Sequence, residues 1–153
     1  MMPFQDDMKE VYWRTIKPAC EHDGFRSLRV DELEGAFNIN KEIIENIFRA
    51  DAIIADLTQS RPNVYYEMGV AHSIDNKTLM MINKNEKVHF DVSSYNCIQY
   101  EQTDAGLETL KWRLVLSLQN MEKWRNGATN PVQEHKPYDA FVPKYLVEPL
   151  KQE

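Results

Sequence analysis

The segment "AIIADLTQSRPNVYYEMGVAHSIDNKTLMMIN", Ala52–Asn83, contains a short apolar run, a polar loop, an amphipathic stretch and a second apolar run. The two runs, Ala52–Leu57 and Lys77–Asn83, are nearly continuous, which is typical of strands buried on both faces. Between them, Pro62–Ile74 repeats its apolar residues with a helical period and starts on a proline, which fits a first helical turn. A strand, a helix and a second strand in this order predict a parallel pair joined by a crossover helix.

The same alternation continues outward on both sides of this segment. Strand patterns are "MMPF" (Met1–Phe4), Phe25–Val30 and Cys97–Tyr100, and helical patterns are Asp6–His22, Asn38–Ala50 with Ile43, Ile44, Ile47 and Phe48 facing inward, and Asp104–Glu122. The pattern predicts an α/β fold, a flavodoxin-like or Rossmann-like three-layer sandwich. Its sheet would be mostly parallel and five-stranded.

The length and the change in pattern near the C-terminus predict the domain organisation. The chain has 153 residues, enough for one domain with a sizeable core. After Trp124 the sequence becomes turn-rich and weakly periodic. We therefore expect a domain over residues 1–124 and a C-terminal tail over residues 125–153.

Charge and cysteine content restrict the partners and the compartment. A formal net charge of -6 disfavours nucleic-acid polymers, although local donors can still attract a small anion. Cys20 and Cys97 are far apart and form no CxxC pair, which argues against a disulfide scaffold or a zinc site and fits a reducing compartment. No apolar run has the length of a membrane span and no signal-peptide pattern opens the chain. We expect a cytoplasmic protein without membrane contact.

One residue of the predicted helix over Pro62–Ile74 interrupts its apolar side. At about 100° per residue, Glu67 falls between Ala71 and Ile74, inside the apolar arc. A buried carboxylate must be paired, protonated or facing a cavity, because an unpaired one is costly. On the projection alone, a structural glutamate and a glutamate that faces a ligand crevice are equally supported.

The topology indicates where such a crevice would lie. In parallel α/β sheets, ligands bind beyond the carboxyl ends of the strands. Phe4, Asp31 and Asp56 each follow a predicted strand and would therefore lie at that edge.

The loop after the third predicted strand carries many hydrogen-bond donors. "TQSRPN" supplies the hydroxyls of Thr58 and Ser60 and the guanidinium of Arg61, and Asn63 follows in the first turn of the helix. Helix starts also attract anions through their free amides. A phosphate or carboxylate docking beside Glu67 is consistent with this loop.

The motif "RADAIIADLTQSRPNVYYEMGVAHSI", Arg49–Ile74, resembles the signature of the nucleoside 2-deoxyribosyltransferase-like superfamily. Members carry an aliphatic strand ending Ala-Asp-Leu-Thr, a polar loop, and then Asn-Pro-Asn-Val-Tyr-Tyr-Glu-Leu-Gly and Ala-His. "MMPF", "IKPACE" and "FDVSSYNCIQY" resemble the flanking blocks, so the resemblance covers about Met1 to Met121. The superfamily includes deoxyribosyltransferases and nucleotide N-glycoside hydrolases, and TIR domains are distantly similar to it.

The resemblance implies a role for each matching residue. Glu67 matches the catalytic glutamate, which attacks the anomeric carbon of the sugar or stabilises its oxocarbenium-like transition state. Asp56 matches an acidic position that contacts the sugar or orients the base, with a loop-capping Asp as the alternative. Ser60, Arg61 and Asn63 match the loop that holds the sugar or 5′-phosphate in relatives. Thr58 is a substrate-binding candidate through its hydroxyl in the same loop.

The remaining candidates have open alternatives. Phe4 is placed to stack on a base or to join the core. Asp31 is placed to bind the ligand or to be a solvated loop residue. His72 lies a turn beyond the reacting site, so we expect it to pack structurally.

The chain also departs from the family pattern. Relatives have several apolar residues before "MMPF", so either the first strand is truncated or another segment fills its place. Arg61 replaces a small residue found in the nucleotide hydrolases. The segment His89–Asn96 either completes a partner subunit's pocket in a homodimer or higher homo-oligomer, or is a surface loop.

The leading hypothesis is an enzyme that cleaves or transfers the N-glycosidic bond of a nucleoside, nucleotide or NAD-like dinucleotide through Glu67. It would need no cofactor and no metal, since no His/Cys/Asp cluster has ligand spacing. The alternative is a non-catalytic nucleotide-sensing or interaction module of a bacterial stress or phage-defence system. A flavodoxin-like or response-regulator-like domain is disfavoured, because the end of strand 1 lacks both an acidic pair and a phosphate-binding loop.

Overall fold

The computed structural model of the protein describes residues 1–3, 5–29, 38–127 and 129–135. Three β-strands and seven α-helices are assigned within these ranges. The strands are β1 (Ile53–Asp56), β2 (Thr78–Asn83) and β3 (Cys97–Tyr100). The helices are α1 (Asp6–Val11), α2 (Lys17–His22), α3 (Ile39–Arg49), α4 (Pro62–Ile74), α5 (Asp104–Gln119), α6 (Met121–Arg125) and α7 (Pro131–Glu134).

The three strands form one parallel sheet in the order β1-β2-β3. Ile53 of β1 is paired with Thr78 of β2, and Met80 of β2 with Cys97 of β3. This arrangement confirms the predicted parallel α/β fold. It arises because helix α4 carries the chain from the end of β1 back to the start of β2.

The N-terminal residue lies beside β1, on the edge that faces away from β2. The Met1 nitrogen donates to the Ile54 carbonyl at 2.8 Å, and the Asp56 nitrogen donates to the Met1 carbonyl at 2.9 Å. Two such bonds around one residue are the pattern of a parallel ladder. Met1 therefore continues the sheet by a single residue pair.

The predicted strand over Phe25–Val30 is wrong for the described residues Phe25–Arg29, which carry no regular secondary structure. A strand needs a backbone partner along its length. Here a cavity separates this segment from β1, and both border it. The sheet thus has three strands among the described residues, and a five-stranded sheet is not seen there.

Helices cover both faces of the sheet. Helices α1, α2 and α5, with the π-helical turn Tyr12–Ile16 that joins the first two, pack on one face, and α3 and α4 pack together on the other. Adjacent residues of β2 belong to different cores. Met81 packs in the core beneath α1, α2 and α5, and Met80 packs in the core beneath α4. This alternation follows from the period of two residues along a strand.

Helix α3 has the predicted N-terminal cap, but one residue of its last turn is exposed where the sequence predicted burial. The Asn38 side chain accepts a hydrogen bond from the Lys41 nitrogen at 3.3 Å, so it caps the first turn. Ile47 is buried as predicted, whereas Phe48 is 59% exposed and the prediction that it faces inward is wrong. Phe48 lies in the last turn, where its carbonyl accepts a hydrogen bond from the buried Lys77 ammonium at 3.1 Å.

The described part of the segment after Trp124 packs against the domain. The Asn76 side chain donates to the carbonyls of Arg125 and Gly127 and accepts from Thr129 and Asn130.

None of the helices in the described ranges combines the length and the apolar character that a bilayer crossing requires.

Candidate functional site

Glu67 lies in the second turn of α4, and its side chain reaches a cavity. Val64, Met68 and Ala71 anchor the buried side of α4 against the sheet and α3. This packing leaves Glu67, one position before Met68, turned toward the edge of β1 that Met1 flanks. The carboxylate is partly exposed and lines a cavity of about 530 Å³. Of the two interpretations drawn from the helical projection, the geometry favours the glutamate that faces a crevice.

The cavity occupies the space between β1 and the segment Gly24–Arg29. Its walls are largely apolar, with Ile43 and Ile47 from α3 on one side and Ile16 and Leu118 on the other. A volume of this size is within the range of small-molecule sites, and so is the combination of apolar walls with a few polar groups.

Burial changes the acidity of Glu67. Desolvation raises the pKa of its carboxyl, and the nearby amino group of Met1 offsets part of this rise. A carboxyl whose pKa is perturbed by burial and that lines a cavity is a candidate functional group, because such shifts cluster at catalytic and binding sites.

Asp56 is completely buried at the end of β1. Its carboxylate accepts hydrogen bonds from the Thr58 nitrogen at 3.0 Å and from the Tyr100 hydroxyl at 2.9 Å. Burial raises the pKa of Asp56, and the hydrogen bonds from Thr58 and Tyr100 act against that rise. This is the geometry of the capping alternative, in which the carboxylate bonds to nearby donors instead of facing a ligand.

Thr58 belongs to the same network. Its hydroxyl lies 3.1 Å from the Tyr100 hydroxyl and accepts a hydrogen bond from the Asn83 nitrogen at 3.0 Å. The network joins the carboxyl ends of all three strands. The sequence analysis did not name Tyr100 as a candidate. Its position as the last residue of a predicted strand could have indicated it, because the carboxyl ends of parallel strands lie together.

The loop between β1 and α4 is held by its own contacts. Gln59 and Ser60 both adopt left-handed backbone conformations, with φ of 66° and 48°. The Gln59 nitrogen donates to the Glu86 carboxylate at 2.7 Å, and the Gln59 side-chain oxygen accepts from the Arg61 guanidinium at 3.0 Å. Glu86 was not among the candidates, since no local pattern connects it to this loop.

The structure places the predicted site residues in three groups. Glu67 lines the cavity. Three candidates are exposed around the start of α4, namely Ser60, Arg61 and Asn63. Two others, Asp56 and Thr58, are buried at the end of β1 and just after it. Phe4 and Asp31 lie outside the described residues.

His72 lies one turn beyond Glu67 and is 2% exposed. Burial lowers the pKa of its imidazole to about 4, so the ring is neutral in the folded protein at pH 7. Its Nε2 atom has no hydrogen-bond partner among the described residues. The ring therefore fills the interior, in agreement with the expectation of a structural role.

Two findings concern the site as a whole: whether it could hold a metal ion, and whether known proteins resemble the chain. Among the described residues, no group of three or more His, Cys, Asp or Glu side chains is arranged to hold a metal ion. Comparison of the chain with protein-family models, with curated proteins and with solved structures finds no match. The resemblance carried by Arg49–Ile74 stays a prediction.

Proposed function

We propose that the protein cleaves or transfers the N-glycosidic bond of a nucleoside, a nucleotide or an NAD-like dinucleotide, with Glu67 as the catalytic group. The observation that carries this proposal is the position of Glu67, a partly buried carboxylate on the wall of a 530 Å³ cavity. The similarity of Arg49–Ile74 to the deoxyribosyltransferase-like signature supports the choice of reaction.

The chemistry requires one carboxylate beside the sugar. The ionised Glu67 attacks the anomeric carbon, the carbon–nitrogen bond breaks, and the base leaves with its electron pair and takes a proton from solvent. Water then attacks the glycosyl ester and releases the sugar, or a second base attacks and is transferred. A carboxylate suits both steps, because the transition states are oxocarbenium-like and a nearby negative charge stabilises them.

The wider setting of the site is part of the proposal. In it, the three described strands belong to a mostly parallel, five-stranded sheet of a flavodoxin-like three-layer sandwich. The protein acts in the cytoplasm as a homo-oligomer. In this proposal, the segment His89–Asn96 contacts the second subunit.

The test compares Glu67→Gln with the unchanged protein on a panel of nucleosides, nucleotides and NAD, followed by chromatography for free base. The unchanged protein releases base from at least one compound, and Glu67→Gln does not. Glu122→Gln is the matched control, because it removes the same charge from an exposed position on α6. Base release that is equal in all three proteins contradicts the proposal.

A non-catalytic nucleotide-sensing module of a bacterial stress or phage-defence system is the second candidate. Glycoside hydrolysis commonly uses a pair of carboxylates. Here the second predicted carboxylate, Asp56, has no exposed surface, which favours binding without turnover. Calorimetric binding of a nucleotide with no product by mass spectrometry supports this candidate over the enzyme.

A further inference from the structure

The described residues after Trp124, which are 125–127 and 129–135, form a polar segment that we call the brace. The two residues that it buries carry amide side chains, Asn130 at 1% and Gln133 at 7% exposure, whereas Val132 is 42% exposed. The brace is therefore attached to the domain mainly by hydrogen bonds and buries little apolar surface.

The turn between α4 and β2 organises the brace through Asn76. The Asn76 side chain donates to the Gly127 carbonyl at 2.6 Å, and it accepts from the Thr129 hydroxyl and from the Asn130 amide, each at 2.9 Å. The Asn130 side chain in turn accepts from the Gln133 nitrogen at 2.9 Å and so starts α7. This chain of bonds sets the position of Gln133.

One end of the brace is bonded to the helix that carries Glu67. The Gln133 side-chain amide donates to the His72 carbonyl at 2.7 Å. The last carbonyls of a helix lack partners within the helix, so a donor from outside can hold that end. His72 and Glu67 lie about one and a half turns apart on α4, so the contact reaches the same rigid element.

The other end of the brace is bonded to a second wall of the cavity. The Arg125 guanidinium donates to the Asp51 carbonyl at 2.8 Å, and the Lys77 ammonium, next to Asn76, donates to the Ala50 carbonyl at 2.9 Å. Ala50 and Asp51 belong to the connection between α3 and β1, and both line the cavity. The brace thus joins two elements that border the cavity.

The apolar contacts of α4 do not by themselves fix its position along its axis. Val64, Met68 and Ala71 hold the helix against the sheet and α3, but apolar attraction has no preferred direction. Hydrogen bonds do depend on distance and angle, so a small slide of the helix misaligns them. Catalysis is sensitive on this scale, because a misplacement of about 1 Å can cost about 10²-fold in rate.

We infer that the brace holds α4 and the α3–β1 connection in a fixed relative position, and that Gln133 and Arg125 are thereby positioning residues for Glu67. The inference rests on the proposed function in naming Glu67 as the catalytic group. It goes beyond that function by giving a role to a segment that the sequence predicted to be a tail. Both residues act through backbone carbonyls, those of His72 and Asp51.

Two substitutions remove the bonds, and two others are controls. Gln133→Met and Arg125→Met delete the donors and keep unbranched side chains of similar length. Arg113→Met is the matched control, because Arg113 also donates to a backbone carbonyl, that of Gln99 at 2.9 Å, and neither residue lines the cavity. Val132→Ala tests the packing of α7 without touching a hydrogen bond of the brace.

The kinetic experiment measures kcat and KM for base release from the nucleoside, nucleotide or NAD that the unchanged protein turns over fastest. We expect Gln133→Met and Arg125→Met to lower kcat by about 10²-fold and to leave KM nearly unchanged, because the carboxylate is misplaced while the walls of the cavity remain. Arg113→Met and Val132→Ala keep the kcat of the unchanged protein. Equal kcat in the two brace variants and in Arg113→Met overturns the inference.

A carbon-13 NMR titration of the Glu67 carboxyl tests the brace without turnover. Desolvation raises the pKa of this carboxyl in the unchanged protein. A displaced carboxylate meets more water, so its pKa falls toward the ordinary glutamate value in Gln133→Met and Arg125→Met and stays raised in Arg113→Met.

The inference and the proposed function fail in different ways. If the unchanged protein releases no base, the enzyme is refuted and the titration alone decides the brace, which is overturned by the same Glu67 pKa in all the variants. If Gln133→Met does not fold because the residue is buried, Arg125→Met, at a half-buried position, decides both experiments.

Discussion

Acidification should destabilise the fold through His72, because the buried imidazole must take up a proton when the chain unfolds. Burial lowers its pKa from 6.5 to about 4. Between these values the unfolded chain binds more protons than the folded one, so the free energy of unfolding falls as the pH falls through this window. A shift of this size corresponds to a loss of about 2 kcal/mol at pH 5 and about 3 kcal/mol at pH 4, relative to pH 7.

The assay is urea denaturation from pH 7 to pH 4, monitored by circular dichroism, on the unchanged protein and on His72→Leu. Carboxylates titrate in both proteins, so the difference between the two curves isolates the histidine. His135→Gln serves as a control, because that ring is exposed. We expect the curve of His72→Leu to be flatter by about 2 kcal/mol between pH 7 and pH 5. Parallel curves for the unchanged protein and His72→Leu refute this account of the imidazole.

Three further changes test the packing by the midpoint of urea denaturation. Gly69→Ala should stabilise the protein by about 0.5–1 kcal/mol, since a Cβ at this helical position meets nothing within 4 Å; a loss of stability contradicts the open geometry. Gly106→Ala should destabilise it, because a Cβ there would lie 2.8 Å from Glu101 Cβ and overlap the Glu101 carbonyl; an unchanged midpoint contradicts the close approach. Tyr100→Phe should cost about 1–3 kcal/mol, because the buried Asp56 carboxylate loses a donor. An unchanged midpoint in that variant would show that the hydrogen bond contributes little.

The sequence was informative wherever a residue's environment is set by its own segment. The apolar runs at Ala52–Leu57 and Lys77–Asn83 identified β1 and β2, because a strand buried on both faces needs apolar residues throughout. Pro62–Ile74 gave the helix bounds as the structure has them, since proline starts the helix and Val64, Met68 and Ala71 mark its buried side.

The failures concern features that depend on distant segments. Phe25–Arg29 alternates like a strand, but strand formation requires a neighbouring backbone, and Met1–Pro3 reaches only the end of β1. The cavity is lined by residues from distant parts of the chain and therefore has no local signature. Tyr100 donates a hydrogen bond to Asp56, and Glu86 accepts one from the Gln59 nitrogen. In both cases the two residues are far apart in the chain, so neither hydrogen bond could be predicted from one segment alone.

The measurement that tests the central claim most directly is the single-turnover rate of base release from the nucleoside, nucleotide or NAD that the protein binds most tightly, with and without the Glu67 carboxylate. Enzyme is in excess, and binding is measured in parallel. The account predicts that Glu67→Gln still binds the compound but releases base at least about 10³-fold more slowly than the unchanged protein, the scale on which removal of one transition-state-stabilising group acts. Equal rates of release in the two proteins, or no release by the unchanged protein from any compound it binds, would contradict it.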